Sequence, residues 1–193
     1  MRLGFVLFCA VVGSYLLGTV SPATLIARRR GVDLAAVGSG NPGATNAGRV
    51  LGRRFGVAVG LADMAKGALP AALFGLVDSR AGLVAGFAAV LGHVTSPFLR
   101  GRGGKGVATS AGAVLGSQPL LAPLVLTVWV AVVLVSRWVA LASMSAALAL
   151  PVCAYLLGRR GAVLVWAAAL GAVVVARHER NVRAKFRAAR RGS

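Results

Sequence analysis

Apolar residues along this chain gather into seven runs, at residues 3–27, 52–77, 81–99, 106–117, 119–136, 138–157 and 161–176. Polar stretches rich in arginine and glycine separate them. Most runs hold the ~17–25 residues that a helix needs to cross a bilayer core, which predicts an all-α, polytopic membrane protein. The fourth is only about three turns long and by length alone could be re-entrant. The first runs too far for a signal-peptide core, and Arg28-Arg29-Arg30 follows it as a stop-transfer signal, so it is read as a retained first helix. The expectation is one integral membrane domain over residues 1–193, with a basic tail from about residue 177.

Composition agrees with this pattern. The chain is 58% hydrophobic and 13% charged, with a mean hydropathy of +0.80. A soluble domain carries about 25% charged residues, and could not solvate so much apolar surface. The formal net charge of +18 would fit nucleic acid, but the cations lie between apolar segments and in the tail. The positive-inside rule accounts for them, and no nucleic-acid partner is expected. If all seven runs span and the N-terminus is outside, only Arg2, Arg80, Arg159 and Arg160 of the 22 cations face outward, and Lys66 lies within the second helix. If the fourth run did not cross, Arg137 and the tail would move outside and the bias would vanish. Seven crossings are therefore expected, with the N-terminus outside and the C-terminus in the cytoplasm. Cys9 and Cys153 both lie within apolar runs, as buried thiols do, and suggest no disulfide framework.

Three polar motifs then face the cytoplasm. In the first, Gly38-Ser39-Gly40-Asn41-Pro42-Gly43 fits G-x-G-x-x-G literally, but no strand or βαβ unit surrounds it, so it is not a dinucleotide fingerprint. Gly40 and Gly43 let backbone N–H groups turn toward an anion, and Ser39, Asn41, Thr45 and Asn46 add neutral donors. Arg49 supplies a fork suited to phosphate. An ordinary polar turn would use many of the same residues. The second motif, Gly103-Gly104-Lys105-Gly106, opens the short fourth helix. It lacks the Ser or Thr that follows lysine in a P-loop, which excludes nucleotide hydrolysis by that device. What remains is a glycine turn feeding a helix N-terminus, with Lys105 as a point charge. A basic loop obeying the positive-inside rule explains the cations here, but explains the glycines less well.

The third motif is Arg177-His178-Glu179-Arg180-Asn181, where His178 and Asn181 share a face as the last helix leaves the membrane. His178 can donate to phosphate or move a proton. The alternative is a helix end fraying into a solvated basic tail. Asp63 and Lys66, at i and i+3 in an apolar helix, should face the bundle and pair structurally. Ser143 is a pocket hydroxyl or a helix-packing residue. His93 has no metal-ligand spacing and reads as structural or as support for the site. The chain has four carboxylates and two histidines, and neither histidine has an aspartate five residues later. The H-x4-D arrangement of acyl-CoA-dependent acyltransferases is absent, as is support for a Ser–His–Asp triad. No metal site and no cofactor are expected.

Taken in order, these residues resemble the PlsY family of bacterial acyl-phosphate:glycerol-3-phosphate acyltransferases. The resemblance rests on Gly38-Ser39-Gly40-Asn41, Gly43-Ala44-Thr45-Asn46 and Arg49, then Asp63, Lys66 and Gly67, then Gly92-His93. It continues through Gly103-Gly104-Lys105-Gly106-Val107-Ala108-Thr109, Ser136-Arg137, Ser143 and Arg177-His178 with Asn181, and so covers nearly the whole chain. The chain departs from the family's pattern at Pro42, at Thr95-Ser96-Pro97 and at Ala35-Ala36. The resemblance implies a seven-helix enzyme of the bacterial inner membrane with its site at the cytoplasmic face. It would move a fatty acyl group from acyl phosphate to the sn-1 hydroxyl of glycerol 3-phosphate, giving lysophosphatidic acid and phosphate. Its partners would be glycerol 3-phosphate, acyl phosphate and membrane lipids. Carried over, Arg49 and Lys105 would hold phosphate groups, with Ser39, Ser143, His178 and Asn181 in the same pocket. The proton acceptor would be a substrate phosphate oxygen, with His178 the alternative. Two rival readings are a transporter or channel for a phosphorylated small solute, and a non-catalytic anchor that binds anionic lipid through its tail.

Overall fold

The computed structural model describes residues 2–191. Every regular element among them is helical: α1 (Arg2–Thr19), α2 (Pro22–Arg28), α3 (Ala44–Leu51), α4 (Arg53–Gly75), α5 (Ser79–Thr95), α6 (Val107–Ser117), α7 (Leu121–Ser136), α8 (Val139–Leu156), α9 (Ala162–Ala176) and α10 (Glu179–Arg191). One 3-10 turn covers Pro97–Leu99. Among the described residues, five segments are long and apolar enough to cross a membrane: Arg2–Arg28, Arg53–Gly75, Ser79–Leu99, Val139–Leu156 and Ala162–Arg187. Val107–Ser117 and Leu121–Ser136 are apolar but shorter. Large apolar side chains such as Phe5, Phe8, Leu61, Leu73, Leu134 and Leu156 stand exposed along these helices, as they do where lipid is the solvent.

The chain divides into two compact units, one up to Pro119 and one from Leu120. In the first, α4 packs against α3, α5 and α6, and α1 packs against α5. Lipid gives packed helices no hydrophobic advantage over separated ones, so close approach of small residues has to hold them. Gly112 on α6 shows this, because a Cβ there would overlap the Met64 carbonyl of α4.

The first apolar run, expected as one helix, is two. Ser21 caps α2 by accepting from the Thr24 N–H at 3.2 Å, and Pro22 occupies the first turn, where its missing N–H has no partner to lose. The end of α1 is satisfied from other helices. Lys66 Nζ donates to the Gly18 and Val20 carbonyls at 3.1 and 2.6 Å, and Ser96 Oγ donates to the Thr19 carbonyl at 2.7 Å. The break is therefore a built feature, held by α4 and by the end of α5.

In the second unit α8 packs against both α7 and α9. Pro151 lies within α8 and cannot donate to the Ala147 carbonyl. Gly171 of α9 approaches that carbonyl so closely that a Cβ would lie 2.5 Å from it. Helix α9 stops at Ala176, the chain turns at Arg177-His178, and α10 begins at Glu179. His178 precedes the first turn of α10, and the Asn181 N–H in that turn donates to its carbonyl. The basic tail continues as a helix, with an i,i+4 ion pair between Arg183 and Glu179.

Candidate active site

The loop before α3 is shaped from within by one buried amide. Asn46, in the first turn of α3, is 1% exposed. Its Oδ1 accepts the Ser39 N–H at 2.9 Å, and its Nδ2 donates to the Leu34 and Val37 carbonyls at 3.3 and 3.1 Å. Gly38 and Gly40 sit at φ 63° and 67°, a region that only glycine enters freely. Gly43 instead has φ −136° and precedes α3 as its N-cap. Ser39, Gly40, Thr45 and Arg49 are exposed and Asn41 is half-buried, so they surround a loop whose form Asn46 holds. Beneath it lies a small core of Ala23, Ala27, Leu34, Ala47 and Val59, which seats α2, α3 and α4 together.

The second glycine loop rests on a buried polar cluster. Lys66 Nζ lies 3.0 Å from Asp63 Oδ1 and 3.1 Å from His93 Nδ1, and all three residues are buried. The expected i,i+3 pair thus exists, and it has recruited a histidine from α5. The Gly104 N–H donates to the His93 carbonyl at 3.1 Å. The loop's glycines have different causes. Gly106, the N-cap of α6, has φ 80°, which only glycine adopts readily. Gly103 and Gly104 have no such torsion. They are small because the end of α5 is there: a Cβ on Gly103 would overlap the His93 carbonyl, and one on Gly104 would overlap the His93 ring. Lys105 is half-buried beside them, immediately before α6, whose first-turn N–H groups make a favourable place for negative charge.

In the second unit Ser143 Oγ donates to the Val139 carbonyl at 2.9 Å and accepts from Trp129 Nε1 at 3.2 Å. Trp129 is a partner that sequence reasoning missed, since nothing in the spacing of these residues marks it. His178 is buried, with Nδ1 2.7 Å from the Val174 carbonyl. A carbonyl only accepts, so Nδ1 carries a proton. Asn181, half-buried, donates its N–H to the His178 carbonyl at 2.9 Å. The structure therefore brings Ser39 and Asn46 together, joins Asp63, Lys66, His93 and the Gly103–Gly104 loop, and sets His178 beside Asn181. Among the described residues no three or more His, Cys, Asp and Glu are grouped as a metal would require.

The apolar helices and their exposed apolar surface make this chain a multi-pass membrane protein. A family model described as glycerol-3-phosphate acyltransferase matches residues 8–188. Glycerol-3-phosphate acyltransferase of Geotalea daltonii is 40% identical over 175 residues, covering 90% of each chain. The Aquifex aeolicus protein of the same name is 40% identical over 176 residues, covering 89% of this chain and 91% of its own. The crystal structure of PlsY, an integral membrane glycerol 3-phosphate acyltransferase, in its glycerol 3-phosphate form matches with a TM-score of 0.90 at 37% identity. That match covers 94% of this chain and 92% of PlsY. Its lysophosphatidic acid form matches with a TM-score of 0.87 at 36% identity and the same coverage. The chain belongs to the glycerol-3-phosphate acyltransferase family.

Proposed function

We propose that this membrane acyltransferase takes its fatty acyl group from acyl phosphate and delivers it to the sn-1 hydroxyl of glycerol 3-phosphate. The products are lysophosphatidic acid and inorganic phosphate, an early step of phospholipid synthesis. The chain acts as one acyltransferase domain over residues 1–193. It crosses the bacterial inner membrane seven times, with the N-terminus outside and the chemistry at the cytoplasmic face. The distribution of arginine supports that topology.

The observation that carries this reading is Lys105 at the N-terminus of α6, in a glycine loop braced by the buried Asp63–Lys66–His93 cluster. Both substrates are phosphorylated, and a rigid set of N–H and cationic donors offsets their charge without reorganising. Lys105 and the backbone of Gly103, Gly104 and Gly106 hold one phosphate group. Arg49, with Ser39, Gly40, Asn41, Gly43 and Thr45, holds another, and Asn46 fixes the loop that presents them. Ser143 and Asn181 contribute hydroxyl and amide groups to the same reaction.

Acyl phosphate is a mixed anhydride with a good leaving group, so no covalent enzyme intermediate is required. The acceptor hydroxyl oxygen attacks the acyl carbon, the bond from that carbon to the phosphate oxygen breaks, and phosphate departs with the electron pair. The hydroxyl proton passes to His178 Nε2, or to a phosphate oxygen of the substrate. Holding the hydroxyl oxygen against the face of the acyl carbonyl carbon supplies on the order of 7–11 kcal/mol of the barrier in favourable cases. The regiochemistry tests this reading: the purified protein with glycerol 3-phosphate and palmitoyl phosphate should give 1-acyl product, resolved by NMR before acyl migration. A 2-acyl product, or none from folded protein, would contradict it.

A further inference from the structure

The buried cluster beneath the glycine loop has a directional form. Lys66 carries three N–H groups, and their neighbours are the Gly18 and Val20 carbonyls, His93 Nδ1 and the Asp63 carboxylate. His93 Nδ1 is 3.1 Å from the ammonium and 3.5 Å from the carboxylate, so both groups hold this edge of the ring. Nε2 lies at the opposite edge of the ring. That edge is the one against Gly104: a Cβ at position 104 would overlap Nε2, and would lie 2.8 Å from Cε1 and 3.1 Å from Cδ2. The His93 carbonyl meanwhile holds the Gly104 N–H. One residue of α5 thus meets the loop twice, once through its backbone and once through its ring.

We propose that His93 is a positioning residue of the acyl-transfer reaction. Clamped by Lys66 and Asp63, its imidazole is the seat on which Gly104 rests, and this seat fixes where Lys105 is presented. The inference rests on the acyltransferase reading above and assigns His93 no contact with substrate. It also explains why position 104 is glycine. The backbone there does not have positive φ, so alanine would be acceptable in torsion and is excluded by the ring. Gly104 and His93 should consequently behave as a coupled pair, whereas a glycine needed only to bare its N–H to an anion would not depend on residue 93. The cluster ties the same seat to the α1–α2 break through Lys66, which makes the loop's position a property of three helices.

The test is a double-mutant cycle on kcat/KM for acyl transfer from palmitoyl phosphate, using His93→Ala, Gly104→Ala and the pair, each shown to be folded by thermal unfolding in detergent. Gly104→Ala alone should lower kcat/KM about 100-fold, His93→Ala about tenfold, and the pair should return to the level of His93→Ala, a coupling within the range seen for residues in contact. Additive losses in the pair would overturn the proposal. His93→Gln, whose amide reaches the place of Nε2, should keep activity within about threefold of wild type, whereas His93→Asn, whose amide reaches only the place of Nδ1, should fall with His93→Ala. Wild-type activity in His93→Asn would also overturn it. An inactive, folded wild type would remove the acyltransferase reading and this inference together. An active wild type with an additive cycle would remove only the inference.

Discussion

The side chains of Lys66 on α4 and His93 on α5 meet at 3.1 Å between Nζ and Nδ1. The same ammonium lies against Asp63 and takes the carbonyls of Gly18 and Val20 where α1 ends. A charge pair placed in an apolar helix is costly to bury and needs partners around it. Here the partners of the ammonium join three helices and reach the loop that carries Lys105.

Replacing Lys66 by methionine leaves the Asp63 charge buried and two carbonyls open. Such a change should destabilise the protein by about 3–5 kcal/mol, the range for breaking one side of a buried pair. The Asp63→Asn/Lys66→Met double variant should recover part of that loss. Unfolding of detergent-solubilised protein measures both, and a Lys66→Met variant as stable as wild type would contradict the arrangement.

Asn46→Ala should act on the first glycine loop from beneath. It removes the partner of the Ser39 N–H and of the Leu34 and Val37 carbonyls, of which the buried Leu34 carbonyl would cost about 1–3 kcal/mol left unsatisfied. The KM for glycerol 3-phosphate should rise about tenfold, equivalent to ~1.4 kcal/mol of lost binding. Asn46→Asp should fare no better, because a carboxylate oxygen would then face two carbonyls. Steady-state kinetics with varied glycerol 3-phosphate decides this, and an unchanged KM in both variants would remove Asn46 from the loop's support.

His178→Asn separates the two nitrogens of the imidazole. The asparagine amide can still donate to the Val174 carbonyl, as Nδ1 does, but it has nothing in the place of Nε2. If Nε2 receives the hydroxyl proton, kcat should fall by about 100-fold or more while the unfolding temperature holds, in line with the loss of a general base. Near-normal kcat in this variant would assign the proton to the substrate's phosphate.

Hydropathy and residue order made much of this molecule legible. The apolar runs become helices within a few residues of their limits, and the Asp63–Lys66 spacing foretells their contact. The missed features are those in which the chain returns on itself. The α1–α2 break is hidden in hydropathy because Thr19 to Pro22 lies in an apolar run, although Ser21-Pro22 is a local start signal for a helix. Asn46 reads as a donor for substrate until its bonds to residues seven, nine and twelve positions earlier are seen. Gly104 reads as a flexible phosphate-loop glycine, whereas its smallness answers to a histidine eleven residues away. In each case the deciding contact is between elements, and periodicity within one element carries no information about it.

The central claim concerns the acyl donor. The most direct measurement supplies the purified protein with glycerol 3-phosphate and either palmitoyl phosphate or palmitoyl-CoA, following lysophosphatidic acid and phosphate release together. The account predicts lysophosphatidic acid and equimolar phosphate from palmitoyl phosphate, none from palmitoyl-CoA, and loss of both products in Lys105→Ala. Product from palmitoyl-CoA, or none from palmitoyl phosphate with the protein folded, would contradict it.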